Sequence, residues 1–192
     1  MKSILKVLLN LILAVGVGFL SYQLYLTIQE PIVFNEMKSA RDGAAQVRLK
    51  QIRSVQMAFK SDNQRYSKDW AELQSFAKSG EYKMLKKIGD PNDTTIVARV
   101  DTIRKSVLDS IFRGDVSQVD SMRFIPYAQS NKFLLDAGNV VKNELEIPAF
   151  EVKAPYKTLY DGLIRKYWVK KRDKYISIGS MEDGSTGGNW GE

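Results

Sequence analysis

Residues 7–29 read VLLNLILAVGVGFLSYQLYLTIQ and contain no charged side chain. As an α-helix this run would be about 34 Å long, at 1.5 Å per residue. The hydrocarbon core of a bilayer is about 30 Å thick, so the run is long enough to cross it. Tyr22 and Tyr25 lie near its second end, where amphipathic rings prefer the headgroup region. We therefore predict a transmembrane anchor over residues 1–30.

The charges on either side of this run predict its orientation. Lys2 and Lys6 precede it, and short basic ends stay in the cytoplasm. Lys38 and Arg41 follow it, so the bias is weak. We expect a single-pass protein of the inner (cytoplasmic) membrane, with a cytoplasmic N-terminus and a periplasmic C-terminal domain.

A cleaved signal peptide and a buried soluble helix are the two alternatives to a retained anchor. A signal peptide has an apolar core of about 7–15 residues followed by small residues around the cut. Here the apolar run continues through Leu20, Leu24 and Leu26, and no A-x-A-like site follows. A retained anchor is the favoured interpretation.

A long amphipathic helix is predicted after Pro31, where the missing amide donor should end or kink the membrane helix. One apolar stripe recurs at spacings of four, three, three and four residues, which is helical periodicity. It consists of Ala45, Leu49, Ile52, Val55 and Phe59. Two roles are open for it: packing against the domain's own sheet, which we favour, or self-association with another subunit. Turn-forming residues at 61–64 should end this helix.

The remainder of the chain predicts a short helix followed by short strands. Ser67 is the expected N-cap of the short helix, and Glu81–Ile88 is expected to add helical turns. Strands are predicted near residues 96–103, 122–127, 132–137, 145–152 and 174–180, with a helical run at 107–112. The predicted fold class is α+β, in which the long helix packs on a small antiparallel sheet. Residues 31–180 would form this domain, followed by a flexible Gly-rich tail over 181–192.

Composition excludes several kinds of active site. The 192-residue chain has no cysteine and no histidine, so it lacks the residues of a thiolate nucleophile, a serine-histidine triad or a histidine-ligated zinc site. Its net charge of +7 would attract anionic lipid, nucleic acid or acidic proteins without selecting among them. We expect a non-enzymatic protein with no cofactor and no metal.

The stretch RLKQIRSVQMAFKSDNQRYSKDWAEL, residues 48–73, resembles type IV pilins and type II secretion pseudopilins. Residues at the matching places of that pattern are Gln56, Phe59, Asn63, Tyr66 and Leu73. The resemblance covers about residues 1–80 and implies a pilin-like α+β domain that associates with copies of itself or with other envelope proteins. Residues 1–10 do not supply the Gly-Phe-type processing signal of pilins, so the anchor is expected to stay uncleaved. The chain also resembles single-pass membrane proteins of the Bacteroidetes with similar Gly187–Trp190 ends, which implies no activity.

A basic cluster near the end of the chain is the strongest local charge signal. Its predicted anion-binding residues are Arg165, Lys166, Lys170, Lys171, Arg172 and Lys174. These cations could bind phosphates of nucleic acid or lipid headgroups, with Tyr167 and Trp168 stacking or wedging. The favoured alternative is a solvated helix end, whose positive charges suit the dipole at the helix C-terminus, while Tyr167 and Trp168 belong to the core.

Acidic side chains suggest two weaker hypotheses. Asp90, Asn92 and Asp93 carry oxygen ligands suited to calcium, but the spacing lacks the further acidic positions of an EF-hand loop, so a turn is favoured. The pairs Glu144 with Glu146 and Glu182 with Asp183 resemble a carboxylate dyad in composition alone. No motif frames them as catalytic.

Two functional hypotheses follow. The leading one is a structural or scaffold subunit of a cell-envelope assembly, pilus-like or secretion-system-like, whose partners are membrane lipid, other envelope proteins or copies of itself. The alternative is a membrane-tethered binding module for an anionic polymer such as DNA, acting through the basic cluster.

Overall fold

A computed structural model describes residues 2–88, 99–128, 130–142, 144–164, 167–168 and 174–191. The chain divides into two compact units. The first unit comprises residues 1–40 and 162–170, and the second comprises residues 41–161 and 171–192. The division in the helical region therefore falls after Ala40, ten residues beyond the predicted end of the anchor.

The first helix, α1, runs from Lys2 to Asn63 and contains Pro31. Of the two outcomes predicted at Pro31, an end or a kink, the end is wrong, because α1 continues through it. Proline removes one backbone hydrogen bond, but the turns on either side of it keep theirs, so one missing bond does not end a helix of 62 residues. The predicted end in the 61–64 turn is confirmed: Gln64 has a φ of 57°, and the Asn63 side chain donates to the Phe59 carbonyl at 3.1 Å.

The second unit buries the apolar stripe of α1. Ala45, Leu49, Ile52 and Val55 are fully buried, and Phe59 is 3% exposed. Tyr66, just past the helix, packs on Phe150 of the sheet with ring centroids 4.7 Å apart. The five side chains of the stripe are therefore covered, and the packing of the stripe on the sheet stays a prediction.

The short helix α2 spans Trp70–Ser79 and buries Leu73 and Ala77. Its N-cap is Asp69, whose carboxylate accepts from the Ala71 amide at 3.1 Å. The prediction of Ser67 as the cap is wrong by two positions. Ser67 is buried, and its backbone is bonded by Gln56 of α1 instead.

Residues 81–88 are a strand where helical turns were predicted. Strand β1, Glu81–Ile88, pairs antiparallel with β2, Arg99–Ser106. Tyr82, Leu85 and Ile88 fit a helical period, whereas Tyr82, Met84 and Ile88 fit a strand period, so local spacing does not decide between them. Pairing with a segment farther along the chain decides it. The first part of the predicted 96–103 strand lies outside the described residues.

Two short helices follow, α3 over Val107–Phe112 and α4 over Val116–Ser121. The helical run predicted at 107–112 is confirmed. The strand predicted at 122–127 is wrong, because this region forms turns with a single bridge between Phe124 and Lys132. Met122 and Ile125 are nevertheless buried. The apolar residues of this stretch therefore indicated burial correctly, but they did not indicate a strand.

The main sheet has the order β3-β4-β5 and is antiparallel. Its strands are β3 at Leu134–Lys142, β4 at Leu145–Pro155 and β5 at Tyr175–Gly179. Strand β5 pairs only with Glu151–Pro155 of β4. At Pro148, β4 therefore has β3 as its one neighbouring strand among the described residues. A proline is tolerated there because it has no amide hydrogen to donate to a second strand. The fold is α+β, with a long N-terminal helix and small antiparallel sheets.

The Gly-rich tail, predicted from its composition to be flexible, is hydrogen-bonded to β5. The Gly179 amide donates to the Gly187 carbonyl at 2.9 Å, and the Asn189 side chain accepts from the Ser177 amide at 3.0 Å. The same side chain donates to the Tyr175 carbonyl at 3.1 Å. The tail therefore covers the outer edge of β5, because these backbone groups would otherwise have faced solvent.

Candidate membrane-interaction site

The described part of α1 that precedes Glu30 presents apolar side chains to its surroundings. Most of its large apolar side chains are exposed, from 51% at Leu8 to 75% at Ile4. A core helix of a soluble protein would bury such residues. Among the described residues, α1 is the one helix long and apolar enough, by length and composition, to cross a membrane. This apolar surface is the candidate site.

An aromatic contact lies immediately after the uncharged run. Phe34 is 5% exposed, and its ring centroid is 5.0 Å from that of Tyr167, with an interplanar angle of 34°. The Tyr167 hydroxyl lies 3.4 Å from Oε2 of Glu30. All three residues belong to the first unit. The helix is thus covered on one side within about a turn of the position where the uncharged run ends.

Polar contacts within the second unit fix the turn that precedes residue 162. The Arg41 guanidinium donates to the carbonyls of Leu159 at 2.9 Å and Asp161 at 2.7 Å. The Tyr160 hydroxyl donates to Oδ1 of Asp42 at 2.5 Å, and burial is the main cause that raises the pKa of Tyr160 above its ordinary value. The short helix α5, Tyr156–Leu159, is therefore held against α1 by polar contacts on the residues that end it.

The predicted anion-binding cluster lies mostly outside the described residues. Arg165, Lys166, Lys170, Lys171 and Arg172 fall there, and Lys174 is exposed just before β5. The two aromatic residues of the same stretch, Tyr167 and Trp168, are half-buried. The structure therefore describes the two aromatic residues of this stretch. Anion binding by its basic residues stays a prediction.

The acidic side chains that the structure describes show no arrangement typical of a metal site. Asp90, Asn92 and Asp93 lie outside the described residues. In the described part of the chain, no group of three acidic side chains is placed to hold a metal ion. Asp183 lies in a tight turn where the Ser185 amide donates to its carboxylate at 3.0 Å, and this bond is the main cause that lowers its pKa. The Asp183 carboxylate therefore stabilises the turn by accepting this hydrogen bond.

Comparisons of the chain with protein-family models, with curated proteins and with solved structures found no match. The pilin resemblance therefore stays an expectation drawn from the sequence. What the molecule itself offers is an exposed apolar helix with an aromatic side chain docked at the end of its uncharged run.

Phe34 and Glu30 were not predicted as site residues. Phe34 precedes Ala45 by eleven positions, about three helical turns, so it lies on the same side of the helix as the stripe. That spacing could have marked it as covered. Its partner Tyr167 is 133 positions away in the chain, and no local pattern identifies such a pair.

Proposed function

We propose that this chain is a non-enzymatic, single-pass membrane protein that serves as a structural or scaffold subunit of a cell-envelope assembly. Its N-terminus would lie in the cytoplasm and its α+β domain in the periplasm. The anchor would hold the domain at the membrane and associate laterally with envelope proteins or with other copies of the chain.

One observation supports this function above all: the uncharged run 7–29 is exposed along a continuous helix. Leu13 is 66% exposed and Leu20 is 67% exposed, with no covering layer in the described residues. Each buried methylene is worth about 0.8 kcal/mol, so leaving this surface in water would be very unfavourable. Lipid, or the apolar helices of partner proteins, would cover it. Because α1 continues to Asn63, anchor and domain share one helix, which suits a retained anchor better than a cleaved peptide.

Anchoring and orientation are tested together with single cysteines, since the chain has none of its own. Ser3→Cys and Ser75→Cys replace exposed serines before the run and in α2. We expect the protein to stay in carbonate-washed inner membranes, because about 20 apolar residues suffice for stable insertion. A membrane-impermeant maleimide applied to spheroplasts should label position 75 and spare position 3. Recovery of the protein in the soluble fraction, shortened at its N-terminus, would refute the retained anchor, and the reverse labelling pattern would refute the orientation.

Lateral association is tested by cysteine scanning through the anchor. If one face of α1 meets another copy, disulfide-linked dimers should form at positions three or four residues apart along 8–28, and the positions between them should link poorly. The measurement is non-reducing electrophoresis after mild oxidation of native membranes. A uniformly monomeric scan, together with a pulldown from solubilised membranes that recovers only the free chain, would exclude the scaffold role while leaving the anchor intact.

A further inference from the structure

We propose that Tyr167, docked on the turn of α1 from Glu30 to Phe34, and Trp168, the next residue in the chain, lie in the lipid headgroup layer and so fix the depth of the anchor. This placement rests on the proposed membrane anchoring. Its occupant is the interfacial layer of a bilayer, not a protein partner.

The first step is the contact itself. The Tyr167 ring packs on Phe34 with centroids 5.0 Å apart, and its hydroxyl reaches Oε2 of Glu30 at 3.4 Å. Phe34 is 5% exposed, whereas Ile32 and Val33 beside it are 54% and 42% exposed. Tyr167 is therefore attached to one side of the helix at a defined level, and the apolar side chains of Ile32 and Val33 remain exposed beside Phe34.

The second step is that level along the membrane normal. Glu30 follows the last residue of the uncharged run. The interfacial regions add about 10–15 Å to a hydrocarbon core of about 30 Å, which is about 5–7 Å on each side. Four helical residues rise about 6 Å, so the interval from Glu30 to Phe34 matches the thickness of one headgroup layer. A span that ends near Gln29 places the Tyr167 ring within that layer.

The third step is chemistry. Tyrosine and tryptophan concentrate at membrane interfaces, because one part of each ring system is apolar and another part forms hydrogen bonds. Ile164, close by in the sequence, is 42% exposed and adds apolar surface. The sequence flanking the two rings is basic, at Arg165, Lys166, Lys170, Lys171 and Arg172, and anionic headgroups attract such cations. These five residues lie outside the described part of the chain, so the aromatic contacts carry the placement.

Depth-dependent fluorescence quenching tests it. The chain has three tryptophans, and the double variant Trp70→Phe with Trp190→Phe leaves Trp168 as the sole reporter in the full-length protein. Vesicles of phosphatidylcholine and phosphatidylglycerol would carry a spin label either near the headgroup or deep in the acyl chain. We expect the shallow label to quench Trp168 about twofold more than the deep label, since interfacial rings lie at the headgroup level.

The matched controls keep Trp70 or Trp190 instead, both in the second unit, which the proposal leaves in water. These reporters should respond to aqueous iodide and to neither lipid label. In the Trp168 protein, Tyr167→Phe should preserve shallow quenching because the ring on Phe34 remains, and Tyr167→Ala should reduce it. Circular dichroism confirms that each variant retains its helix content.

The outcomes separate this placement from the anchor. A protein that floats with the vesicles, but whose Trp168 responds to iodide as Trp70 does and ignores both labels, would overturn the placement alone. Stronger quenching by the deep label would overturn it too. A protein that fails to float would overturn both the anchor and the placement.

Discussion

Gly179→Ala should destabilise the domain by about 2–5 kcal/mol, which combines a left-handed backbone cost of about 1–2 kcal/mol with the cost of overpacking. Gly179 ends β5 with a φ of 75°. A Cβ placed there would lie 2.3 Å from the carbonyl oxygen of Phe150, which is backbone and cannot rotate away. Phe150 itself is fully buried, so the sheet has little room to yield.

The measurement is thermal unfolding of the full-length protein in detergent, followed by tryptophan fluorescence. For a domain of this size about 1 kcal/mol shifts the midpoint by about 2–4 °C, so the decrease should be easily resolved. Gly187→Ala is the matched control, because a Cβ at Gly187 meets no atom within 4 Å. That control should stay within about 0.5 kcal/mol of wild type. Equal midpoints for the two variants would mean that β5 does not pair with β4 as described.

Most of the correct predictions from the sequence came from helical periodicity. The stripe from Ala45 to Phe59 located the buried face of α1, because a regular helix repeats its orientation every 3.6 residues whatever lies opposite. The same rule applies to Phe34, three turns earlier, and would have located the covered side of the first unit. Strands β4 and β5 were also recognised from their short apolar runs, although the run of β4 contains Pro148.

Long-range partners decide what the sequence left undetermined. Residues 81–88 became a strand because Arg99–Ser106 supplies its hydrogen bonds, and the local pattern fitted either state. The tail is held because the Asn189 side chain bonds both Ser177 and Tyr175, which composition cannot reveal. Ser67 shows the same limit: its hydroxyl accepts from the Asp69 amide at 3.2 Å, Asp69 is the cap, and the Ser67 backbone is bonded by a glutamine eleven positions earlier.

That glutamine leads to the second large effect, Gln56→Leu. Gln56 and Ser67 are both fully buried. The Gln56 amide donates to the Ser67 carbonyl at 2.7 Å and accepts from the Ser67 amide at 3.0 Å. Leucine would fill the space and leave one buried donor and one buried acceptor without partners, at about 1–3 kcal/mol each. We expect the free energy of unfolding to fall by about 2–5 kcal/mol, measured by urea titration in detergent.

Gln51→Leu is the control. Gln51 is half-buried, and its side-chain amide makes an exposed hydrogen bond to Gln118 at 3.3 Å. Loss of this bond should lower the free energy of unfolding by less than about 0.5 kcal/mol.

Gln56→Glu gives the finer test. Its carboxyl can donate to the Ser67 carbonyl only when protonated, so burial and this bond would raise its pKa in the folded state above the unfolded value of about 4.3. The stabilisation would then be present below that unfolded pKa and lost as pH rises through the folded pKa. Gln56→Glu should therefore be closer to wild type at about pH 4 than at about pH 8, and a pH-independent difference would show that position 56 does not donate to Ser67.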